Sequence, residues 1–390
     1  MQKYAEILGR FNSIANNPGE QFDRLLADRK RVVGCMTYFC PEELVYAAGM
    51  VPFGIWGADM EAAESKRWFP AFICSVLQTA LELGIKGAYN GMTAVIIPKL
   101  CDSLKCMGAN WERAVPGIPV INLTHAQNRR IDAGIEFTAS QYRAVLAELI
   151  NLGGKAADGD DVASAIGLLN KRRGLMRTFV QLATVHPDIV TPGSRNDVIK
   201  SSYFMEADSY NSLISELNEA LRCLPEPKWD GHRIVTTGIL ADSPELLRIF
   251  KENSIMIAAD QVMHESVSFR EDVETVGDPF VGLARRVAAI EGASVLYDPG
   301  KRRAHELLRL VRSASADGVI FVLTKFCDPE EYDYVPVKKL LEENRVPCLL
   351  LEVDRQASGF EQIRSAVEAF TGILGRAVST DRALSSQPST

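Results

Sequence analysis

The sequence predicts an α/β protein of two doubly wound parallel-sheet lobes joined by a helical connector, with an N-terminal helix ahead of the first lobe. Three observations lead there. Toward both ends of the chain, short apolar runs alternate with amphipathic stretches of helical period, the pattern of parallel strands covered by helices. From about 138 to 223 the period is almost wholly helical. The length, 390 residues, also exceeds what one core usually organises.

The elements follow in order. MQKYAEILGRFNSIANNPGEQF (1–22) has helical periodicity with charges throughout. RVVGCMTY (31–38) reads as a strand, PEELVYAAGM (41–50) as a helix with Pro41 in its first turn, and VPFGIWG (51–57) as the next strand. ICSVLQTALELGIKG (73–87) is helical, TAVIIPKLC (93–101) an apolar strand, DSLKCMGANWERAV (102–115) helical and IPVINLTH (118–125) a strand. The connector ends at LPEPKWDG (224–231), whose prolines and glycine break regular structure. A second alternation opens with HRIVTTGIL (232–240) and runs through SIMIAADQ, DGVIFVLTKF and VPCLLLEVD. The expected division is 1–137 for the first lobe, 138–230 for the connector and 231–375 for the second lobe. Residues 376–390, small and polar, should form a loose tail.

A net charge of −7 and a pI near 5.5 argue against broad binding to nucleic acid, which needs clustered Lys and Arg. The N-terminus lacks the apolar centre of a signal peptide, and no apolar run approaches the roughly 20 residues of a membrane span. A cytoplasmic chain with reduced thiols is expected. No GxxxxGK[ST] phosphate loop, GxGxxG fingerprint or Ser-His-Asp arrangement is legible, so nothing assigns ATP hydrolysis to this chain. A flavin is possible but not indicated.

Eight cysteines are present, none in a CxxC pair, so any metal site must be assembled from distant segments. Three share a position type. Cys101 follows the strand AVIIPKL, Cys327 follows VIFVLTKF, and Cys74 stands at a helix start in FICSVL. Ligands of open α/β sheets gather beyond the carboxyl ends of strands, where following helices present free N–H groups. Such a position should lower a thiol's pKa and favour the thiolates that bind iron. Asp102 and Asp328 are expected to cap the helices that follow.

A buried structural thiol is the competing reading for any one cysteine, and it is preferred for Cys223 and Cys348. Cys106 could line the site or belong to the core. Cys35 and Cys40, flanking a strand-to-helix turn, and His125 are candidates to surround a cluster without binding it, although a structural role suits His125 better. His264, Glu265 and Arg270 form a polar patch suited to an interface. The acidic pairs Glu42–Glu43 and Glu330–Glu331 read as exposed residues matching helix dipoles.

GCMTYFCPEELVYAAGMVPFGIWGA, FPAFICSVLQ, GAYNGMTAVIIPKLCDSLKCMGANW, GIPVINLTHAQNR, TGILADS and KFCDPEEYDYVPVKKLLEENRVPCLLLEVDRQASGF resemble beta subunits of the 2-hydroxyacyl-CoA dehydratases, relatives of the benzoyl-CoA reductase subunits. The resemblance runs in order from about residue 3 to 375. It is strongest to the lactoyl-, 2-hydroxyisocaproyl- and phenyllactyl-CoA branches. It implies that Cys74, Cys101 and Cys327 hold a [4Fe-4S] cluster. It also implies an alpha-subunit partner and a separate ATP-hydrolysing iron–sulfur activator. An electron relayed to the alpha subunit would form a ketyl radical from the thioester carbonyl and expel the 2-hydroxyl as water. Two alternatives stand beside it: a homodimeric reductase of the same superfamily with a double-cubane cluster, and a metal-free two-lobed binding module.

Overall fold

A computed structural model describes residues 3–36, 39–356 and 359–385 of the chain. The first lobe holds β1 (Val32–Met36), β2 (Val51–Ile55), β3 (Ala94–Pro98) and β4 (Val120–Leu123), paired in parallel in the order β2-β1-β3-β4. The second holds β5 (His232–Gly238), β6 (Ile255–Val262), β7 (Gly318–Thr324) and β8 (Cys348–Val353), also parallel, in the order β6-β5-β7-β8. The expected α/β class holds, and the two sheets repeat one strand order. Each order reverses between its first and third strands, which opens a crevice at the carboxyl ends of β1 and β3 and again at those of β5 and β7.

Alternation along each strand explains why both faces are covered. Val32, Met36, Val95 and Ile97 point to one side of the first sheet, against α4 (Ser75–Ile85) and α5 (Asp102–Ala114). Val33, Cys35, Ala94 and Ile96 point to the other, against α3 (Glu42–Ala47) and α6 (Asp132–Asn151). The second sheet divides likewise. Ile234, Ile320 and Val322 meet α10 (Pro244–Glu252) and α15 (Glu361–Ser385), while Val235, Val319 and Phe321 meet α13 (Arg302–Ser313) and α14 (Asp328–Glu343). Each fully buried side chain of this size contributes about 1.5–3 kcal/mol.

The N-terminus forms two helices, α1 (Lys3–Asn16) and α2 (Pro18–Ala27), because Pro18 starts a new one at its first position. α1 packs with α7 (Gly159–Val185), α8 (Pro192–Ser201) and α9 (Ala207–Arg222) around Phe11, Phe179 and Tyr210. After β6, the short α11 (Ser266–Phe269) leads to α12 (Pro279–Ala289), which lies on α6 of the first lobe. A further apolar cluster joins the lobes: Phe39, Trp56 and Val76 from the first meet Ile239, Met263, Val287 and Cys327 from the second.

Two boundaries differ from expectation. The strand expected over 31–38 is ordered as Val32–Met36, and Thr37 and Tyr38 lie outside the described residues. The stretch expected to be loose from 376 continues as α15 through Ser385, with 386–390 outside the described residues. Among the described residues no helix is long and apolar enough to cross a membrane.

Candidate metal centre

Each of the three cysteines singled out is itself the N-cap of a helix: Cys74 of α4, Cys101 of α5 and Cys327 of α14. The aspartates expected to cap, Asp102 and Asp328, instead stand one residue inside, in the first turn. No side-chain capping hydrogen bond forms at any of the three, so each sulfur sits beside a first turn without closing it. The first-turn amides of Val76 and Leu77 favour the ionised form of Cys74, those of Ser103 and Leu104 that of Cys101, and that of Glu330 that of Cys327. Two of these amides are held by the cysteine's own carbonyl, Leu77 N donating to Cys74 O at 3.1 Å and Glu330 N to Cys327 O at 3.0 Å, so the thiols feel the positive helix ends as a field.

Cys101 and Cys327 occupy equivalent places in the two lobes. Each lies three residues beyond the third strand of its sheet, in Lys-Leu-Cys-Asp and Lys-Phe-Cys-Asp. The backbone repeats too: Lys99 N donates to Leu123 O at 2.8 Å and Lys325 N to Val353 O at 2.9 Å. Phe326 carries a left-handed backbone (φ 62°), a conformation that costs a non-glycine residue about 1–2 kcal/mol. It turns the chain so that Cys327 faces the first lobe. Cys74 arrives from the long loop after β2, and Gly57 (φ 77°) lets that loop pass α4: a Cβ there would lie 2.5 Å from Thr79 Oγ1 and 2.9 Å from Val76 O.

All three cysteines line one pocket between the lobes, whose other walls are mostly apolar: Val76, Leu77, Leu104, Ile239, Val295 and Phe326. Burial acts in the opposite direction to the expected helix-end effect. It pushes Cys101 up to about 11 and Cys74 upward, and raises Cys327 well above the ordinary thiol range, with the first-turn amides recovering only part. Cys74 and Cys101 both oppose ionisation of Cys327, so the three sulfurs sense one another's charge. Ionising them together calls for a compensating cation, as metal binding supplies.

The donor set fits an iron–sulfur cluster. Among the described residues no group of three or more His, Cys, Asp or Glu converges on a point suited to a single ion. A cluster takes each thiolate at a separate iron, so thiols spaced around a shared pocket, each at a helix N-terminus, match its needs.

The other candidates are placed elsewhere. Cys106 and Cys223 are exposed, contrary to the core roles considered for them, and Cys348 is half-buried against the α13–α14 side of its sheet. Cys40 lines a separate polar pocket with Glu42, Glu43, Arg172 and Arg173. Cys35 is buried in β1, and the adjacent Cys40 thiol together with burial pushes its pKa well up. His125 is structural: its Nε2 meets Tyr142 Oη at 3.0 Å, and burial drops its pKa to about 4 despite the Phe39 backbone on its other side.

The patch expected at an interface is interior. His264 stacks on Trp56 at 4.0 Å between ring centres, and Glu265 pairs with the buried Arg195. The acidic pairs also differ from expectation. Glu43 is buried against Arg173 and Glu42 is mostly covered beside Arg172, while Glu330 is fully buried against Arg303 at 2.8 Å. Only Glu331 remains exposed as expected. The buried arginines Arg303 and Arg355 near the pocket went unnoticed in the sequence, where each looks like one more surface charge.

Two parallel sheets of one strand order, meeting where three thiols at helix N-termini face an apolar pocket, define a two-lobed α/β protein with a thiol site between its lobes. Residues 37–374 match the family model described as 2-hydroxyglutaryl-CoA dehydratase, D-component, and the chain belongs to that family. It is 40% identical to the (R)-phenyllactyl-CoA dehydratase beta subunit of Clostridium sporogenes, covering 93% of this chain and 97% of that one. It is 36% identical to the lactoyl-CoA dehydratase subunit beta of Anaerotignum propionicum, over 96% and 100% of the two chains. Against (R)-2-hydroxyglutaryl-CoA dehydratase subunit beta of Acidaminococcus fermentans the identity is 35%, over 94% and 99%.

Proposed function

We propose that this chain is the iron–sulfur beta subunit of an oxygen-sensitive (R)-2-hydroxyacyl-CoA dehydratase, a hydro-lyase active as a complex with an alpha subunit. The observation that carries the reading is the meeting of Cys74, Cys101 and Cys327 at one pocket. Near full-length similarity to beta subunits of three such dehydratases supports it. The three cysteines would hold a [4Fe-4S] cluster and leave one iron for another ligand. When bound, the cluster would supply one-electron transfer, from an ATP-dependent iron–sulfur activator to the alpha subunit, where a ketyl radical of the substrate loses water to give the enoyl-CoA.

The chain's own residues prepare for that group. First-turn amides of α4, α5 and α14 lie beside the sulfurs and favour thiolate over thiol. The apolar walls formed by Val76, Leu104, Ile239 and Phe326 keep water from the sulfurs. Cys101 and Cys327, carried by separate sheets, make retention of the group depend on how the lobes are held together. The same reading divides the chain into a first lobe, a helical connector and, from 231, a second lobe that ends in α15.

Iron and acid-labile sulfide in anaerobically purified protein test this. About four of each per chain in the wild type, depleted in Cys327→Ser, is the expected result. A wild type that stays colourless after anaerobic reconstitution overturns it and leaves a metal-free binding module. A self-associating protein whose two chains share one larger cluster points to the double-cubane reductase.

A further inference from the structure

The segment that follows β8 touches both lobes beside the thiol pocket. On the second-lobe side, Val353 O accepts from Lys325 N at 2.9 Å and Asp354 pairs with Lys325 at 3.5 Å, so the segment grips the loop that presents Cys327. On the first-lobe side, Arg355 N donates to Ser75 Oγ at 3.4 Å, in the residue next to Cys74. Met60 N donates to Arg355 O at 3.0 Å, Ala62 N to Gln356 Oε1 at 3.3 Å, and Gln356 Nε2 to Gln78 Oε1 on α4 at 2.9 Å. Four consecutive residues thus connect the Cys327 loop with the helix that Cys74 caps.

The Arg355 side chain completes the connection. Only 6% exposed, it sends one guanidinium nitrogen to Asp59 of the first lobe and another to Asp242 of the second, both at 2.7 Å. Asp242 also accepts from Trp56 Nε1 at 2.8 Å and Lys200 Nζ at 3.1 Å, so the pair lies in a network anchored in both lobes and the connector. A planar fork can address two carboxylates at once, which a lysine ammonium matches poorly. The guanidinium charge is also felt at Cys74, where it favours the ionised sulfur.

We infer that Arg355 is a positioning residue: it ties the two lobes across the thiol pocket, holds Cys74 in register with Cys327, and lends positive charge to whatever those sulfurs bind. This rests on the reading of the pocket as a cluster site. Partners that orient metal ligands without touching the metal are worth about 10–100-fold in metal affinity. A nearby buried cation favours the more negative, reduced state of a cluster, so its removal lowers the reduction potential.

The test uses the full-length chain, reconstituted anaerobically, as wild type, Arg355→Gln, Arg355→Lys and Asp59→Asn. Iron loss to a chelator, cluster reduction potential, and amide hydrogen exchange of the iron-free protein are measured. Arg355→Gln is expected to lose iron about tenfold faster or more, to shift the potential to more negative values, and to lose protection at 59–63 and in the first turn of α4. Arg355→Lys keeps the charge and should restore the potential while recovering protection only in part. Asp59→Asn weakens one arm to a neutral acceptor but keeps the cation, so iron loss accelerates without a fall in potential. Iron loss and potential unchanged in Arg355→Gln overturn the inference. If wild type binds no iron, the cluster reading fails, and unaltered exchange in Arg355→Gln then overturns the tie as well. Should Arg355→Gln fail to fold, Arg355→Lys and Asp59→Asn decide: wild-type iron retention in both overturns the inference.

Discussion

Replacing Glu330 removes the principal partner of a buried cation directly behind the Cys327 loop. Its carboxylate lies 2.8 Å from Arg303, with the two side chains 0% and 4% exposed. Burial works against the Arg303 charge, but Glu330 and Asp333 outweigh it and hold its pKa above the ordinary range. After Glu330→Ala the guanidinium keeps Asp333 at 3.3 Å and Thr237 Oγ1 at 3.2 Å. Stripping one partner from a buried pair costs about 3–5 kcal/mol, and the surviving Asp333 places this case near the low end, about 3 kcal/mol. At about 1.4 kcal/mol per tenfold, local opening of α14 rises about a hundredfold.

Amide hydrogen exchange across 328–343, read by mass spectrometry on the iron-free protein, measures that opening. Glu330→Ala should exchange about a hundredfold faster there. The pair Arg303→Met with Glu330→Leu, which removes both charges, should return toward wild type because no buried ion is left unpaired. Exchange in Glu330→Ala within threefold of wild type would refute the argument that this pair anchors the Cys327 helix.

Acid should weaken the fold through His125. Its folded pKa of about 4 lies below the ordinary 6.5, so between those values the unfolded chain binds the proton and the folded one resists it. The contribution is complete above pH 6.5 and falls by about 3 kcal/mol as pH drops to 4; His125→Asn should flatten that limb in unfolding measurements, and parallel curves would reject the assignment. In iron-free protein at pH 8, Cys101, with its pKa near 11, should carry about a hundredfold less thiolate than a thiol at the ordinary value of 9.0 and alkylate correspondingly slowly. Peptide mapping of iodoacetamide adducts should find the exposed Cys106 and Cys223 modified first. Cys106→Ser and Cys223→Ser should leave stability within about 0.5 kcal/mol and iron content unchanged, so loss of iron from either variant would extend the site beyond its three cysteines.

The sequence by itself determined the two β/α alternations, the helical stretch between them and the positions of Cys74, Cys101 and Cys327 at helix starts. Those features are local: apolar runs, helical period, and Pro or Gly at the breaks all act within a few residues. Family membership was legible for the related reason that motif blocks such as FCDPEEYDY persist in order along the chain. Only the tertiary structure decided which charges are buried. Glu43, Glu330, Arg303 and Arg355 stand among polar neighbours and read as surface residues, yet each is covered by an element far away in the chain. It also decided the sense of the thiol shifts. A helix N-terminus, visible in the sequence, lowers a thiol's pKa, whereas burial between two lobes raises it. The larger effect belongs to the desolvation that only the meeting of the lobes creates.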